Sequence, residues 1–155
     1  MSERFHIRPV RSDDYPHWRP LWDGYNAFYQ RRGPTAVPEE VTRATWERFF
    51  DPAEPMDALV AEDRADGGLA GFTHYLYHRS TNRMNPVCYL QDLFTAECLR
   101  GQGVARRLID AVYEAARANG ASRVYWQTHV TNARARTLYD KVAAHQGFIV
   151  YVHEL

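Results

Sequence analysis

One segment, residues 87–118, constrains the fold of this 155-residue chain more than any other. Residues 87–95 (VCYLQDLFT) are apolar at positions that face both sides of a strand, which is typical of a central strand in a covered sheet. A glycine-rich turn, RGQG, follows, and residues 104–118 then place Val104, Leu108 and Val112 on one face of a helix. A strand buried on both faces that runs into a helix predicts a mixed α/β layer architecture.

The rest of the chain supplies elements before and after this unit. Alternating residues predict strands, and apolar residues at three- and four-residue steps predict helices, in the order β-α-α-β-β-β-α-β-α-β. The predicted strands are 5–8, 57–63, 69–77, 87–95, 122–128 and 147–153. The first predicted helix follows Ser12–Asp14, and the other three cover 39–50, 104–118 and 132–144. Since neither an internal repeat nor a linker interrupts this order, we expect a single domain over residues 1–155.

Composition excludes several functional classes. The 19 basic and 19 acidic residues cancel, whereas a general nucleic-acid binder has a basic excess. No apolar run is long enough to span a membrane. Two cysteines without a C-x-x-C motif predict a reducing, cytoplasmic setting, and the histidine spacing predicts no metal site. The first half of the chain is acidic and the second half is basic, so a polyanionic ligand would suit the second half.

The turn before the 104–118 helix has the features of a phosphate-binding site. Helix N-termini carry unpaired N–H groups and a partial positive charge, and glycine lets the backbone approach an anion closely. Arg100, Arg106 and Arg107 add charge nearby. The dinucleotide fingerprint G-x-G-x-x-G fails because Arg106 occupies its third glycine position, and a P-loop fails for lack of its lysine and hydroxyl. The pattern that remains is R-x-x-G-x-A, formed by Arg100, Gly103 and Ala105.

This pattern resembles the signature Q/R-x-x-G-x-G/A of the GNAT superfamily of acyl-CoA-dependent N-acyltransferases. A second block of that family, N-x-x-A-x-x-L/F-Y, is matched by Asn132, Ala135, Leu138 and Tyr139 on the next predicted helix. The element order also fits from end to end. The stretches LWDGYNAFY and YLQDLF are most similar to the histone and polyamine acetyltransferase branch. The resemblance implies a GNAT fold, with a mixed sheet splayed at the coenzyme A site and helices on both faces.

The resemblance also implies that the chain is an enzyme that uses acetyl-CoA, without a metal, to acetylate a primary amine by direct attack. Tyr139 would protonate the departing thiolate, and the backbone N–H of Leu93 would polarise the acetyl carbonyl. The spacing of Asn132 and Tyr139 places both on one helix face. The implied cofactor-binding residues are Leu93, Phe94 and Thr95 for the pantetheine arm, Arg100, Gly101, Gln102, Gly103, Val104, Ala105 and Arg106 for the pyrophosphate, and Asn132 and Tyr139.

The acceptor side is less defined by the sequence. The implied acceptor-lining residues are Trp22, Tyr25, Tyr29, Gln91 and His129. In the polyamine branch a glutamate orders the water that acts as base, and this chain has Gln91 there, so Asp92 and His129 stay open as alternative bases. Aromatic residues and scattered acids predict a small basic amine or a lysine-like amino group, in a small molecule or a peptide.

Two further expectations follow from the resemblance. Many GNAT chains have two strands after the tyrosine helix, but this chain has room for one before Leu155, which predicts a homodimer that pairs or exchanges C-terminal segments. The alternative function is a catalytically silent acyl-CoA sensor or interaction module of the same fold.

Overall fold

A computed structural model describes residues 3–155. Its mixed α/β architecture confirms the predicted fold class, and residues 87–95 and 104–118 form their strand and helix at the predicted bounds. The strands are β1 (Phe5–Pro9), β2 (Met56–Asp63), β3 (Leu69–His78), β4 (Val87–Thr95) and β5 (Val124–Tyr125). The helices are α1 (Tyr15–Phe28), α2 (Glu39–Arg48), α3 (Val104–Ala118) and α4 (Ala133–Val142).

The five strands form one sheet in chain order. Neighbours from β1 to β4 are antiparallel, and β4 and β5 are parallel. The last pair holds together only at Cys88↔Val124 and Tyr89↔Tyr125. Beyond Tyr89, β4 continues to Thr95 without β5 beside it, so its backbone edge on that side is open. This divergence is the splay that the resemblance implies.

The sheet has an apolar core on each face. On one face, Leu108, Ile109 and Val112 of α3 are fully buried against β-strand residues such as Leu59 and Ala61. The other face is covered by the aromatic residues of α1 and α2, which pack on Val60 and Phe72. Helices therefore lie on both faces, because the alternation of side chains along β2 and β3 leaves two apolar surfaces to cover.

A bulge in β4 reverses the direction of its side chains. Leu90 is opposite Tyr75 and Asp92 is opposite His74, which leaves Gln91 as an extra residue between them. As a result Leu90 and Leu93 both belong to the α3-side core, and Asp92 faces α1. In a regular strand Asp92 would share the face of Leu90. The bulge thus moves the carboxylate to the helix α1 side of the sheet.

The C-terminal segment corrects one prediction. Residues 147–153 do not form the expected strand, and β5 is shorter than the predicted 122–128. After α4 the backbone turns extended at Ala143, and a run of apolar side chains stays exposed. These are Phe148, Ile149, Val150, Tyr151 and Val152, which are 60–89% exposed. The β-branched and aromatic residues typical of a strand are present here, but among the described residues the segment has no neighbour that supplies the ladder hydrogen bonds a strand requires.

Candidate active site

The turn between β4 and α3 presents free backbone donors. Gly101 and Gly103 have φ of +80° and +83°, in the left-handed region that favours glycine. Gly103 is the N-cap of α3 and no side chain of the described residues caps the helix. The first helical bond is donated by the N–H of Arg107 to the carbonyl of Gly103, at 3.1 Å. The preceding N–H groups of α3 are therefore available to an anion, as expected for the phosphate site predicted from the sequence.

The three arginines near this turn have different surroundings. The Arg100 side chain folds back, with Nε donating to the carbonyl of Thr95 at 3.2 Å and its guanidinium over the Phe94 ring. Arg107 turns towards β1 and bonds the carbonyl of Phe5, so it does not supply the free charge that the sequence suggested. Arg106 is exposed and lies 4.0 Å from Asp110. Of these three arginines, Arg106 is therefore the exposed one, whereas Arg100 and Arg107 are partly buried.

The open edge of β4 leads from this turn into the protein. Its residues Leu93, Phe94 and Thr95 lie between the start of α3 and helix α1, where the Phe94 ring lies within 6.2 Å of the Tyr25 ring. The Thr95 hydroxyl is buried without a hydrogen-bond partner among the described residues. An edge of unpaired backbone groups with an unsatisfied hydroxyl fits an extended ligand that carries its own amides, such as a pantetheine arm.

Asp92 is the end of a chain of buried hydrogen bonds. The Tyr25 hydroxyl donates to its Oδ1 at 2.7 Å, and His74 Nδ1 lies 2.8 Å from its Oδ2. Trp18 Nε1–H in turn donates to His74 Nε2 at 3.1 Å. Because Nε2 accepts this bond, the ring proton resides on Nδ1 and is donated to Asp92. Trp18, His74 and Tyr25 are buried, whereas the Asp92 side chain keeps 13% of its surface exposed and is the solvent-facing end.

The electrostatics of the tyrosines follow from this arrangement. Burial raises the pKa of Tyr25, and the charge of Asp92 and its hydrogen bond raise it further. Burial and the Asp92 charge also raise the pKa of Tyr29, which Arg31 opposes. Both phenols are therefore protonated at neutral pH. Tyr25 acts as a hydrogen-bond donor that orients Asp92.

Helix α4 packs Tyr139 against the α3-side core. Its ring packs edge-on against Trp126, with centroids 5.4 Å apart. Burial raises the pKa of Tyr139 to about 12, and the nearby Tyr29 adds to the increase. Asn132 precedes the first residue of α4 and donates from Nδ2 to the Thr128 hydroxyl at 3.3 Å. Tyr139 thus holds its proton at neutral pH beside the tyrosines of α1.

The three other predicted acceptor residues do not line the solvent-facing end of the site, although the Trp22 ring stacks on that of Tyr25 from within the core. Trp22 is buried in the core, stacked on Trp18, with Nε1 donating to Thr42 Oγ1, so it has a packing role. Gln91 is exposed at the bulge. His129 is exposed on the loop before α4, with Nδ1 2.6 Å from the Thr131 hydroxyl.

The acids that suggested a cationic acceptor are mostly paired with arginines. Asp14 forms a buried ion pair with Arg8, and Asp23 and Glu39 both pair with Arg19. Asp92, by contrast, accepts a hydrogen bond from Tyr25 and lies close enough to Tyr29 to raise the pKa of that phenol.

Two residues near Asp92 had no functional assignment from the sequence. His74 was considered only as a metal ligand, and no group of three or more potential ligands occurs within residues 3–155. The hydrogen bond between His74 and Asp92 depends on the register of β3 and β4, which the bulge changes. No residue pattern close to the bulge predicts this change. Arg31, which follows α1, contacts Tyr29 through the fold of the turn.

In the same described part of the chain, no helix has the length and apolarity to cross a membrane.

Comparison with known proteins agrees with this geometry. The family model described as "Acetyltransferase (GNAT) family" matches residues 18–144. The D-amino-acid N-acetyltransferase HPA3 of Saccharomyces cerevisiae is 35% identical over 97% of this chain and 91% of its own length. The uncharacterized N-acetyltransferase YhfO of Bacillus subtilis is 29% identical, with 94% of each chain covered.

A solved structure of AAC(6')-Iy, in complex with a bisubstrate analog of coenzyme A, superposes with a TM-score of 0.82 at 21% identity, covering 99% of both chains. At that identity the likeness shows the fold alone. Together with the family match over most of the sequence, it confirms the predicted GNAT fold. The chain therefore belongs to the GNAT family of acetyltransferases and is an N-acetyltransferase.

Proposed function

We propose that residues 1–155 form one catalytic domain that transfers the acetyl group of acetyl-CoA to a primary amine by direct attack in a ternary complex. The observation that carries this proposal is the uncapped start of α3 beside the open edge of β4. One feature suits a diphosphate and the other suits the amide-bearing arm attached to it. Acetyltransferases of this family use acetyl-CoA, so both features have a role in a single ligand.

In this arrangement the backbone of residues 101–106 holds the pyrophosphate, with Arg106 adding charge. The pantetheine arm lies along Leu93, Phe94 and Thr95. The Arg100 side chain supports this edge through Phe94 and Thr95 and does not reach for the phosphates. Asn132, at the start of α4, lies on the opposite side of the arm.

The acceptor amine enters as an ammonium ion next to Asp92. An alkyl ammonium has a pKa of about 10.4, so it must lose a proton before it can attack at neutral pH. Asp92 attracts this cation and accepts one of its protons, which frees the nitrogen lone pair to bond to the thioester carbonyl carbon. The nitrogen gives up a second proton to water as the amide forms. We favour Asp92 over His129 as the base because Tyr25 and His74 hold the Asp92 carboxylate in position, whereas His129 lies on an exposed loop.

The carbon–sulfur bond then breaks and the sulfur leaves as a thiolate. The N–H of Leu93 stabilises the carbonyl oxygen during attack, and the Tyr139 hydroxyl donates to the thiolate. Because the pKa of Tyr139 is raised to about 12, transfer of its proton to a thiolate with an ordinary pKa of about 8.5 is uphill. Tyr139 therefore keeps its proton and contributes a hydrogen bond to the developing thiolate, which takes up a proton from water.

A panel of amines with acetyl-CoA tests the activity. The panel includes basic amines and peptides with lysine, as the sequence predicts. It also includes amino acids, since one relative is named for acetylating D-amino acids. We expect turnover with at least one class. If the protein binds coenzyme A tightly but consumes acetyl-CoA with none of these amines, the result would favour the catalytically silent sensor.

Replacement of Tyr139 by phenylalanine tests the acid. We expect kcat to fall by about 10- to 100-fold, with the Kd for coenzyme A unchanged. Tyr77→Phe is the matched control, because Tyr77 is also a partly buried phenol of raised pKa, on the far end of β3. An unchanged kcat in Tyr139→Phe, or an equal loss in the control, would contradict the assignment.

We further propose that the chain forms a homodimer by exchange of its C-terminal segments. The exposed apolar run from Phe148 to Val152 and the free edge of β5 support this, since each lacks a partner within the described chain. Light scattering at micromolar concentration should give the mass of two chains. Ile149→Glu should give one chain, and Glu154→Gln, at an exposed polar position, should leave the dimer intact. A monomeric wild-type protein would contradict the proposal.

The membership in the histone and polyamine branch and the cytoplasmic location stay predictions. Gln91, in place of the glutamate of that branch, and the pairing of Asp14 and Glu39 with arginines both argue against a polycationic acceptor.

A further inference from the structure

An unusual turn holds Arg31 beside Tyr29, just after the end of α1. After α1 ends at Phe28, Gln30 adopts a φ of +62°, which is rare for a residue other than glycine. The chain thereby reverses, and the Arg31 N–H donates to the carbonyl of Asn26 at 2.8 Å. This turn directs the Arg31 side chain back along the last turn of α1, the part of the helix that carries Tyr25 and Tyr29.

The guanidinium has a defined position on this surface. Its Nη1 donates to Oδ1 of Asn26 at 3.1 Å, and Asn26 is itself buried and anchored by Nδ2 to the carbonyl of Trp22. The guanidinium carbon lies 5.2 Å from the centre of the Tyr29 ring. A buried amide and an aromatic face therefore fix a side chain that is otherwise exposed.

Arg31 has no carboxylate partner among residues 3–155, unlike Arg8 and Arg19, which each bind two acids. A guanidinium offers five N–H donors in a planar fork, and Asn26 accepts from only one nitrogen. The remaining donors are free for a planar anion. A carboxylate is the anion that this fork matches best.

Two tyrosine rings connect Arg31 to Asp92. Tyr29 lies under the guanidinium, its ring centre is 5.1 Å from that of Tyr25, and the Tyr25 hydroxyl bonds Asp92. The two charges also act in opposition on the same phenols: Asp92 raises the pKa of Tyr25 and Tyr29, and Arg31 lowers both. The acceptor side of the site is therefore bipolar, with an anion at one end and a cation at the other.

We infer that Arg31 binds a carboxylate of the acceptor, so that the acceptor is an amino acid whose ammonium group faces Asp92. This inference rests on the proposed function, since it assigns the second end of the same acceptor. A zwitterion complements both charges. A polyamine would place a second ammonium next to Arg31, where like charges repel.

Pairs of substrates that differ only in the carboxylate test the inference. Alanine is compared with ethylamine, phenylalanine with phenethylamine, and lysine with cadaverine, all with saturating acetyl-CoA. We expect the wild-type enzyme to have a higher kcat/KM for the amino acid of each pair. Arg31→Gln should lower kcat/KM for the amino acids by about 10- to 100-fold, mainly through KM, because a charge-assisted bond is lost. It should leave kcat/KM for ethylamine and phenethylamine unchanged, and it should not lower that for cadaverine, whose second ammonium Arg31 repels.

Arg32→Gln is the matched control. Arg32 is also exposed, is one residue further along and undergoes the same change of charge, but its side chain contacts Gln30 rather than the tyrosines. It should leave the kcat/KM of both members of a pair unchanged. The KM for acetyl-CoA and the Tm should be the same in both variants, which separates an acceptor effect from a loss of fold.

The outcomes distinguish this inference from the proposed function. If amines are acetylated as well as their amino acids, or if Arg31→Gln affects both members of a pair equally, the carboxylate role is overturned while the acetyltransferase assignment stands. If neither member of any pair, nor any other amine, is acetylated, the proposed function itself fails.

Discussion

The two buried hydrogen bonds of His74 can be removed one at a time. In His74→Asn the side-chain amide lies near the position of Nδ1, so it can still donate to Asp92 but cannot reach Trp18. In His74→Gln the amide lies near the position of Nε2, so it can accept from Trp18 but leaves Asp92. The two variants differ by one methylene and test separate halves of the same network.

The structure sets the size of each effect. In His74→Asn the Trp18 N–H loses its acceptor, and because Trp18 is fully buried we expect a loss of about 1–3 kcal/mol in the free energy of unfolding. In His74→Gln the lost bond ends on a carboxylate, which suggests about 1.5–3 kcal/mol. Asp92 keeps Tyr25 and partial contact with solvent, so the lower end applies. For a chain of this length each kcal/mol corresponds to a Tm change of about 2–4 °C.

Thermal denaturation and steady-state acetylation kinetics together give the test. Both variants should have a lower Tm. Only His74→Gln should lower kcat/KM for the acceptor, by about tenfold, because Asp92 then lacks the donor that orients it. An equal loss of kcat/KM in both variants would refute the positioning role of His74 and reduce it to a packing residue. Unchanged Tm values in both would refute the hydrogen-bond network itself.

Two further predictions concern the turn and the pH dependence. Gly103→Ala should raise the KM for acetyl-CoA, since the φ of +83° at Gly103 is strained for alanine. Gly67→Ala is the control: with a φ of +77° in a hairpin turn, it should lower the free energy of unfolding by a similar amount and leave that KM unchanged. Equal KM values in the two variants would argue against a phosphate site at Gly103. Burial alone would raise the pKa of Asp14, but the hydrogen bonds from Arg8 and from the backbone outweigh it and lower that pKa. The ion pair therefore stabilises the fold above the ordinary pKa of about 3.9 and this contribution is lost as pH falls through the lower folded value. Urea denaturation at a series of pH values should show that Asp14→Asn is less stable near neutrality and loses less stability on acidification, and a pH dependence identical to that of the wild type would contradict this.

Much of the cofactor side could be predicted from the sequence because its signals are local. The apolar run of β4, the glycines of the turn and the stripe of α3 each determine the conformation of residues close in the chain. The stretch from Val87 to Ala118 therefore forms as predicted, including both element boundaries. The family resemblance depends on two short blocks, one at the turn before α3 and the other on α4, and the family match confirms it.

The acceptor side could not be predicted in the same way, because it depends on contacts between distant residues. The bulge at Gln91 turns Asp92 towards Tyr25, and the β3–β4 register brings it to His74. Likewise, whether residues 147–153 become a strand depends on a neighbouring strand to pair with, which a run of β-branched and aromatic residues cannot supply by itself. The sequence by itself determined most of the elements and the conformation of the glycine turn before α3, since backbone conformation responds to adjacent residues. Only the tertiary structure decided which side chains meet at Asp92, since a shift of one residue in strand register reverses the face on which every following side chain lies.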